Sequence, residues 1–366
     1  MNRIFLSPPH MSGKEQEYIS DVFKSNYIAP LGEFVNRFEE SICNYTGAKY
    51  ALATNTATAA LHLALRVLGV QRDDYVLAST FTFIGSVDAI LYQGAKPIFV
   101  DSDESWNLSP LLLKQAIDKA PKKPKALIVT HLYGQMAQID EIVSICHEAG
   151  IYVVEDAAES LGASLRYKQS GTFGDMGVFS FNGNKILTTS GGGMLIGNNK
   201  KWIEKASFYA TQAREPYPHY EHKEFGYNYR MSNVLAAIGV AQMEVLDERV
   251  DRKRAIFDLY KKHLGDIKEI EFMPEIKYSR ANRWLTTITF SSSNPLDIIK
   301  LLEMENIESR ALWKPMHMQT LFEDTLCISD DTSEKLYKKG ICLPSGTSIS
   351  DEEVARVCDI IKKATK

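Results

Sequence analysis

Val153-Val154-Glu155-Asp156-Ala157-Ala158 closes a short apolar run, Tyr152–Glu155, with two carboxylates and then two small residues. The apolar run reads as a buried strand. The acids and alanines read as its carboxyl end, where an open α/β sheet binds ligands. Successive side chains on a strand point to opposite faces, so only one of Glu155 and Asp156 faces a given site.

Working outward, the same pattern recurs. Tyr50–Thr54, Tyr75–Ser79, Pro97–Val100 and Ala126–Thr130 are short apolar runs. Between them, Ala57–Leu68, Ile84–Tyr92, Pro110–Ala120 and Ile139–Ala149 have helical spacing, with Leu61, Leu65 and Leu68 on one face of the first. Strands alternating with amphipathic helices imply parallel strands covered on both faces. Ahead of them, Lys14–Lys24 and Glu33–Tyr45 read as helices. Beyond Ala158, Gly177–Phe181 and Gly193–Ile196 are closely spaced and read as adjacent strands finishing the sheet. Ser232–Leu264 reads as one long helix leaving a large domain for a smaller one. Thr286–Phe290, Pro295–Glu305, Ile341–Pro344 and Asp351–Lys362 suit a small α/β domain. The expected division is 1–245 and 246–366.

Composition excludes several classes. The chain has 366 residues, 42 Lys+Arg against 46 Asp+Glu, a net charge of −4 and 45% hydrophobic residues. This is no strongly basic nucleic-acid binder, and there is ample apolar material for a core. Aromatics do not interleave with basic clusters, so no nucleic-acid partner is expected. No apolar run reaches the roughly 18 residues a membrane span needs, and Pro8-Pro9 interrupts the N-terminus before a signal sequence can form. The five cysteines are scattered without a C-x-x-C, which disfavours zinc and disulfide frameworks. A cytoplasmic protein is expected. His219 and His222 lack a visible third ligand, so no metal is assigned. A glycine fingerprint for dinucleotides, a phosphate loop and a nucleophile elbow are all missing, which disfavours a nicotinamide-dependent oxidoreductase.

Three features carry chemistry. Thr54-Asn55-Thr56-Ala57-Thr58-Ala59-Ala60 opens a helix directly after a strand, and a helix N-terminus welcomes an anion. The Glu155-Asp156 pair is the second. The third is Lys185 in Phe179-Ser180-Phe181-Asn182-Gly183-Asn184-Lys185, a lone lysine on a turn between strand-like runs. A desolvated lysine is a Schiff-base nucleophile. Gly191-Gly192-Gly193 precedes a strand rather than a helix, which reads as tight packing beneath the lysine turn. Together they supply what pyridoxal phosphate requires: a phosphate anchor, a carboxylate for the ring nitrogen and an amine for the aldehyde.

On Glu155-Asp156-Ala157-Ala158-Glu159, Gly171-Thr172-Phe173-Gly174, the Phe179–Lys185 stretch, Gly191-Gly192-Gly193 and Gly226-Tyr227-Asn228-Tyr229-Arg230-Met231, the sequence resembles the DegT/StrS sugar-nucleotide aminotransferases. These are fold-type-I pyridoxal phosphate enzymes of the aspartate-aminotransferase kind. The resemblance implies an α/β fold with a large, mostly parallel sheet and a small C-terminal α/β domain. It also implies a homodimer with shared active sites. Within the family, Ser25-Asn26-Tyr27-Ile28-Ala29-Pro30-Leu31-Gly32, Thr130-His131-Leu132-Tyr133-Gly134 and Leu312-Trp313-Lys314-Pro315-Met316-His317 look closest to the UDP-4-amino-4,6-dideoxy-N-acetylglucosamine transaminases of the bacillosamine route.

By that resemblance Lys185 forms the internal aldimine and Asp156 pairs with the pyridinium nitrogen. The Thr56 and Ala57 backbone and the Ser180 hydroxyl hold the phosphate, and Asn228 reaches it from the partner subunit. Phe83, rather than Phe81, matches the ring that stacks on the cofactor. Glu159 stands beside the phenolic oxygen, where many relatives carry Gln or His. The implied reaction moves an amino group from L-glutamate to the C4 ketone of a UDP-4-keto-6-deoxy-N-acetylhexosamine for glycan synthesis. Asn26, Tyr27, Arg230, Trp313 and His317 are the candidates for the sugar nucleotide, Arg230 foremost because a guanidinium matches phosphate geometry. The rivals are another nucleotide ketosugar (dTDP-3-keto, or dTDP- or GDP-4-keto) or a non-catalytic regulator on the same fold.

Overall fold

The computed structural model describes residues 2–365. An eight-stranded sheet has the order Tyr50–Thr54, Gly193–Gly197, Met176–Ser180, Tyr152–Asp156, Ala126–Thr130, Tyr75–Ser79, Lys96–Val100, Cys327–Ile328. All neighbouring pairs from Met176–Ser180 onward are parallel. Gly193–Gly197 runs antiparallel to both of its neighbours. Register aligns Thr130 with Asp156, Asp156 with Val178, and both Ser180 and Thr54 with Gly193. The strand ends therefore meet along one edge of the sheet.

Each sheet face has its own core. Val76, Ala78, Val154, Val178 and Leu195 pack with Ala60, Leu61 and Ala64 of the Ala57–Val67 helix. Leu77, Leu127, Val129 and Val153 pack on the opposite face with Leu113 and Ile142, from the helices Pro110–Lys119 and Ile139–Glu148. Ser109 and Asn294 cap their helices with Pro in the first turn, as those residue types favour.

A second, four-stranded antiparallel sheet has the order Ile270–Phe272, Thr286–Phe290, Gly340–Leu343, Arg310–Ala311. The helices Leu246–Leu264 and Asp351–Ala364 supply Ile256, Tyr260, Val354 and Val357 to its core.

Three features differ from the sequence reading. Ser232–Leu264 is two helices, Asn233–Met243 and Leu246–Leu264, broken where Val245 leaves helical geometry without a Gly or Pro to mark it. Lys200–Ala210 is an additional helix, capped by Asn199. Two segments cross the expected boundary at 245. Cys327–Ile328 pairs with Lys96–Val100 in the large sheet, and Ile4 bridges Ile307 in the second core. No helix among the described residues is long and apolar enough to cross a membrane.

Candidate active site

The strand pleat decides between the two acids. Asp156 lies on the same face as Val154, which packs with the Ala57–Val67 helix, whereas Glu155 lies with Val153 on the other face. Asp156 accordingly lines a cavity of about 240 Å³ at the strand ends. Ser86 Oγ donates to its Oδ2 at 2.5 Å, and the Ala158 amide donates to Oδ1 at 3.1 Å. Ser86 spends its only hydrogen on Asp156, so it accepts from Thr82 Oγ1 at 2.9 Å. Thr82 in turn accepts from Thr130 Oγ1 at 2.8 Å. This buried hydroxyl relay fixes the carboxylate's orientation.

Glu155 is fully buried and turned away from the cavity. It accepts from the amides of Phe173 (2.5 Å), Gly174 (2.6 Å) and Gly171 (2.9 Å). His131 Nδ1 accepts from the Ala137 amide, so Nε2 carries the hydrogen and donates to Glu155 at 2.9 Å. Glu155 thus clips the Gly171–Gly174 loop to the sheet, so closely that a Cβ on Gly174 would fall 2.7 Å from the Val153 carbonyl oxygen. Glu155→Gln should cost about 3–5 kcal/mol of stability, because buried donors lose their charged acceptor. Denaturant unfolding checks this, and a loss under about 1 kcal/mol contradicts it.

Thr56 ends its strand-to-helix turn in extended geometry, and its hydroxyl caps the Ala57–Val67 helix by accepting from the Ala59 amide. Thr56, Ala57 and Thr58 line the cavity, so the helix's positive end opens into it. A Cβ on Gly193 would fall 2.5 Å from the Thr56 carbonyl carbon and the Ala57 nitrogen. That glycine lets the strand pass directly beneath the helix end, while a Cβ on Gly192 would meet Met231 and Thr189 rather than the Asn182–Lys185 turn. Ser180 lines the same space.

Lys185 enters from the Asn182–Lys185 turn, closed by the Lys185 amide on the Asn182 carbonyl. Its Nζ lies 3.3 Å from Glu159 Oε1 and 4.0 Å from the centre of the Trp284 indole. Glu159 also accepts from the Tyr133 amide at 2.7 Å. Burial raises the Glu159 carboxyl above its ordinary value, opposed by the Lys185 ammonium and the Tyr133 amide. Phe83 lines the cavity and tilts against Trp313 at 5.3 Å, while Phe81 is buried and meets Tyr133 edge-on.

The other sequence candidates divide. Trp313 lines this cavity and a neighbouring one of about 530 Å³. Arg230 lies outside the lining: its guanidinium donates to Glu39 Oε1 at 2.8 Å and to the Ala53 carbonyl at 3.0 Å. His317 Nδ1 is bonded to Thr80 Oγ1 at 2.7 Å, also outside the lining. Tyr27 borders a separate surface hollow with Asp21 and Phe34, next to Asn26. Asn228 lies on the chain beside the Tyr50–Thr54 edge, where its carbonyl accepts from Asn55. Sequence reasoning missed Ser86, Thr82, Thr130, Asn184 and Trp284. Asn184 comes in with Lys185 on the same turn, whereas parallel strand alignment or long-range packing brings in the others, so no local spacing announces those.

Residues 9–362 match the model of the DegT/DnrJ/EryC1/StrS aminotransferase family. The chain belongs to this family. EpsN of Bacillus subtilis (strain 168), whose name assigns it provisionally as a pyridoxal phosphate-dependent aminotransferase, is 53% identical over 98% of this chain and 95% of its own. A GDP-perosamine synthase of Escherichia coli O157:H7 is 36% identical, over 99% of each chain. Among solved structures, a DegT DnrJ EryC1 StrS aminotransferase from Brucella abortus superposes with a TM-score of 0.89 at 25% identity, covering 96% of this chain and 95% of that one. The α/β fold with a large, mostly parallel sheet is the fold of these enzymes, and this chain is a pyridoxal phosphate-dependent sugar aminotransferase.

The residues present fit that cofactor. The cavity has a helix N-terminus for a phosphate, a buried carboxylate held at one end of a hydroxyl relay, an amine, and an aromatic wall at Phe83.

Proposed function

We propose that this enzyme moves an amino group from L-glutamate to the C4 ketone of a UDP-4-keto-6-deoxy-N-acetylhexosamine, making a UDP-4-amino sugar for a bacterial glycan. One observation carries the site assignment: Asp156 and Lys185 enter a single cavity with the N-terminus of the Ala57–Val67 helix. Thr56, Ala57 and Ser180 would hold the phosphate, with Asn228 contributed by the partner of a homodimer. Phe83 would lie on the ring and Glu159 beside the phenolic oxygen. When bound, pyridoxal phosphate supplies a carbonyl that takes up an amine and a ring that accepts the electron pair of a broken C–H bond.

The chain's own residues do the rest. Asp156 keeps a proton on the ring nitrogen by its fixed negative charge, which favours charge developing in the ring. Lys185 Nζ takes the proton from the donor's α-carbon and later returns one to C4 of the sugar. Trp284, Trp313 and Phe83 exclude water from that transfer. Arg230, tied to Glu39, supports the edge of the Tyr50–Thr54 strand, and we assign it no contact with substrate. Trp313 remains the sugar candidate that lines the cavity. Free cysteines, five in all, support a reducing, cytoplasmic setting.

The UDP sugar is favoured by the Ser25–Gly32, Thr130–Gly134 and Leu312–His317 stretches. A GDP-4-keto-6-deoxy sugar is the second reading, favoured by the 36% identical GDP-perosamine synthase. Purified enzyme, loaded with cofactor and given L-glutamate, decides between them when offered each ketosugar, with product read by mass spectrometry. A kcat/KM at least about tenfold higher for the UDP sugar, some 1.4 kcal/mol of discrimination, supports the first reading. The opposite ratio establishes the second, and no turnover of either refutes both.

A further inference from the structure

Lys253 lies on the Leu246–Leu264 helix, between the two sheets, and is buried to 2% exposure. Among the described residues it forms no ion pair, and burial lowers its pKa to about 7. An amine in such a place costs stability unless its donors are used. Here two are used. Nζ donates to the Trp284 carbonyl at 2.8 Å and to Ser7 Oγ at 3.2 Å.

Both acceptors lead to the same peptide. Ser7 Oγ donates to the Asn184 carbonyl at 3.0 Å, and Trp284 Nε1 donates to that same carbonyl at 2.8 Å. A carbonyl oxygen only accepts, so the Ser7 hydroxyl must point its single hydrogen at Asn184 and accept from Lys253. The Asn184 carbonyl belongs to the peptide bond that precedes Lys185. The indole of Trp284 is the ring on which the Lys185 amine rests. One buried amine therefore anchors both groups that set where the Lys185 side chain leaves the backbone and what it leans on.

We propose that Lys253 is a positioning residue for Lys185, acting through Ser7 on the peptide that carries it and through Trp284 on the ring against its amine. This rests on the reading of Lys185 as the catalytic amine, but its test does not use turnover.

In the cofactor-free protein, a small amine-acylating reagent is applied at one pH, and modification of Lys185 is followed by peptide mass mapping. Exposed Lys201 serves as the internal reference. Lys253→Met keeps the length and apolar fill of the side chain and removes its donors. Ser7→Ala removes only the middle link and decides the matter if the first variant fails to fold. Loosening the indole uncovers the face of the amine that the ring now covers at 4.0 Å, so Lys185 should react about two- to fivefold faster relative to Lys201. Folded variants whose Lys185 reacts at the wild-type rate would overturn the proposal and leave Lys253 a packing residue. The cofactor-loaded variants should also show a displaced visible absorption band, which packing alone would not move. If Lys185→Ala proves active while Lys253→Met still alters Lys185 reactivity, the positioning role stands and the catalytic reading falls.

Discussion

Lys185→Ala is expected to take up pyridoxal phosphate without a covalent link and to lose turnover by about 10⁴-fold or more, the scale of a positioned proton-transfer group. The side chain enters the cavity at 13% exposure, between Glu159 and the Trp284 indole. Among the described residues, no second lysine lines the cavity to replace it. Borohydride treatment followed by peptide mapping reads the link, and a coupled glutamate assay reads the rate. The phosphate anchor at Thr56–Ala57 and the carboxylate at Asp156 are untouched by the change, so binding should persist while chemistry stops. Transamination near the wild-type rate would remove Lys185 from the mechanism.

Asp156→Asn should keep the fold and lower kcat by about a thousandfold, the scale of removing one preorganised charge from a dry site. Asn preserves the shape: its oxygen can still accept from the Ala158 amide, and its Nδ2, in the place of Oδ2, can donate to Ser86 Oγ once that hydroxyl turns its hydrogen toward Thr82. What it lacks is the negative charge that holds a proton on the ring nitrogen. The loss should therefore fall on kcat rather than on the KM for either substrate. Glu155 cannot compensate, because it points to the other sheet face and its oxygens already accept from three amides and His131. A rate within tenfold of wild type would contradict this division of labour between adjacent acids.

The two acids also show how far the sequence alone reaches. That a carboxylate pair ends a buried strand is visible in Val153–Asp156, because strand ends and small residues announce themselves locally. Which acid faces the site depends on which sheet face the Ala57–Val67 helix covers, and pairing and packing set that. Thr56 and Lys185 were legible for the same local reasons: a cap residue before an amphipathic helix, and a lone lysine among Asn and Gly. The intrachain partners of Arg230 and His317, Glu39 and Thr80, were not legible, because they lie far away in sequence. The strand at Cys327–Ile328 is two residues long and carries no alternation to read. The break at Val245 has no Gly or Pro to signal it. Ser86 is one of many helical serines until strand alignment sets it against Asp156.

The most direct test of the central claim is a visible absorption titration of the purified enzyme. L-glutamate should bleach the yellow band of the lysine-bound cofactor, and the UDP-4-keto-6-deoxy sugar should then restore it, each with single-site stoichiometry. That cycle would demonstrate both halves of the amino transfer in the Lys185–Asp156 cavity. A band that glutamate leaves unchanged, or a protein that takes up no pyridoxal phosphate, would contradict the account.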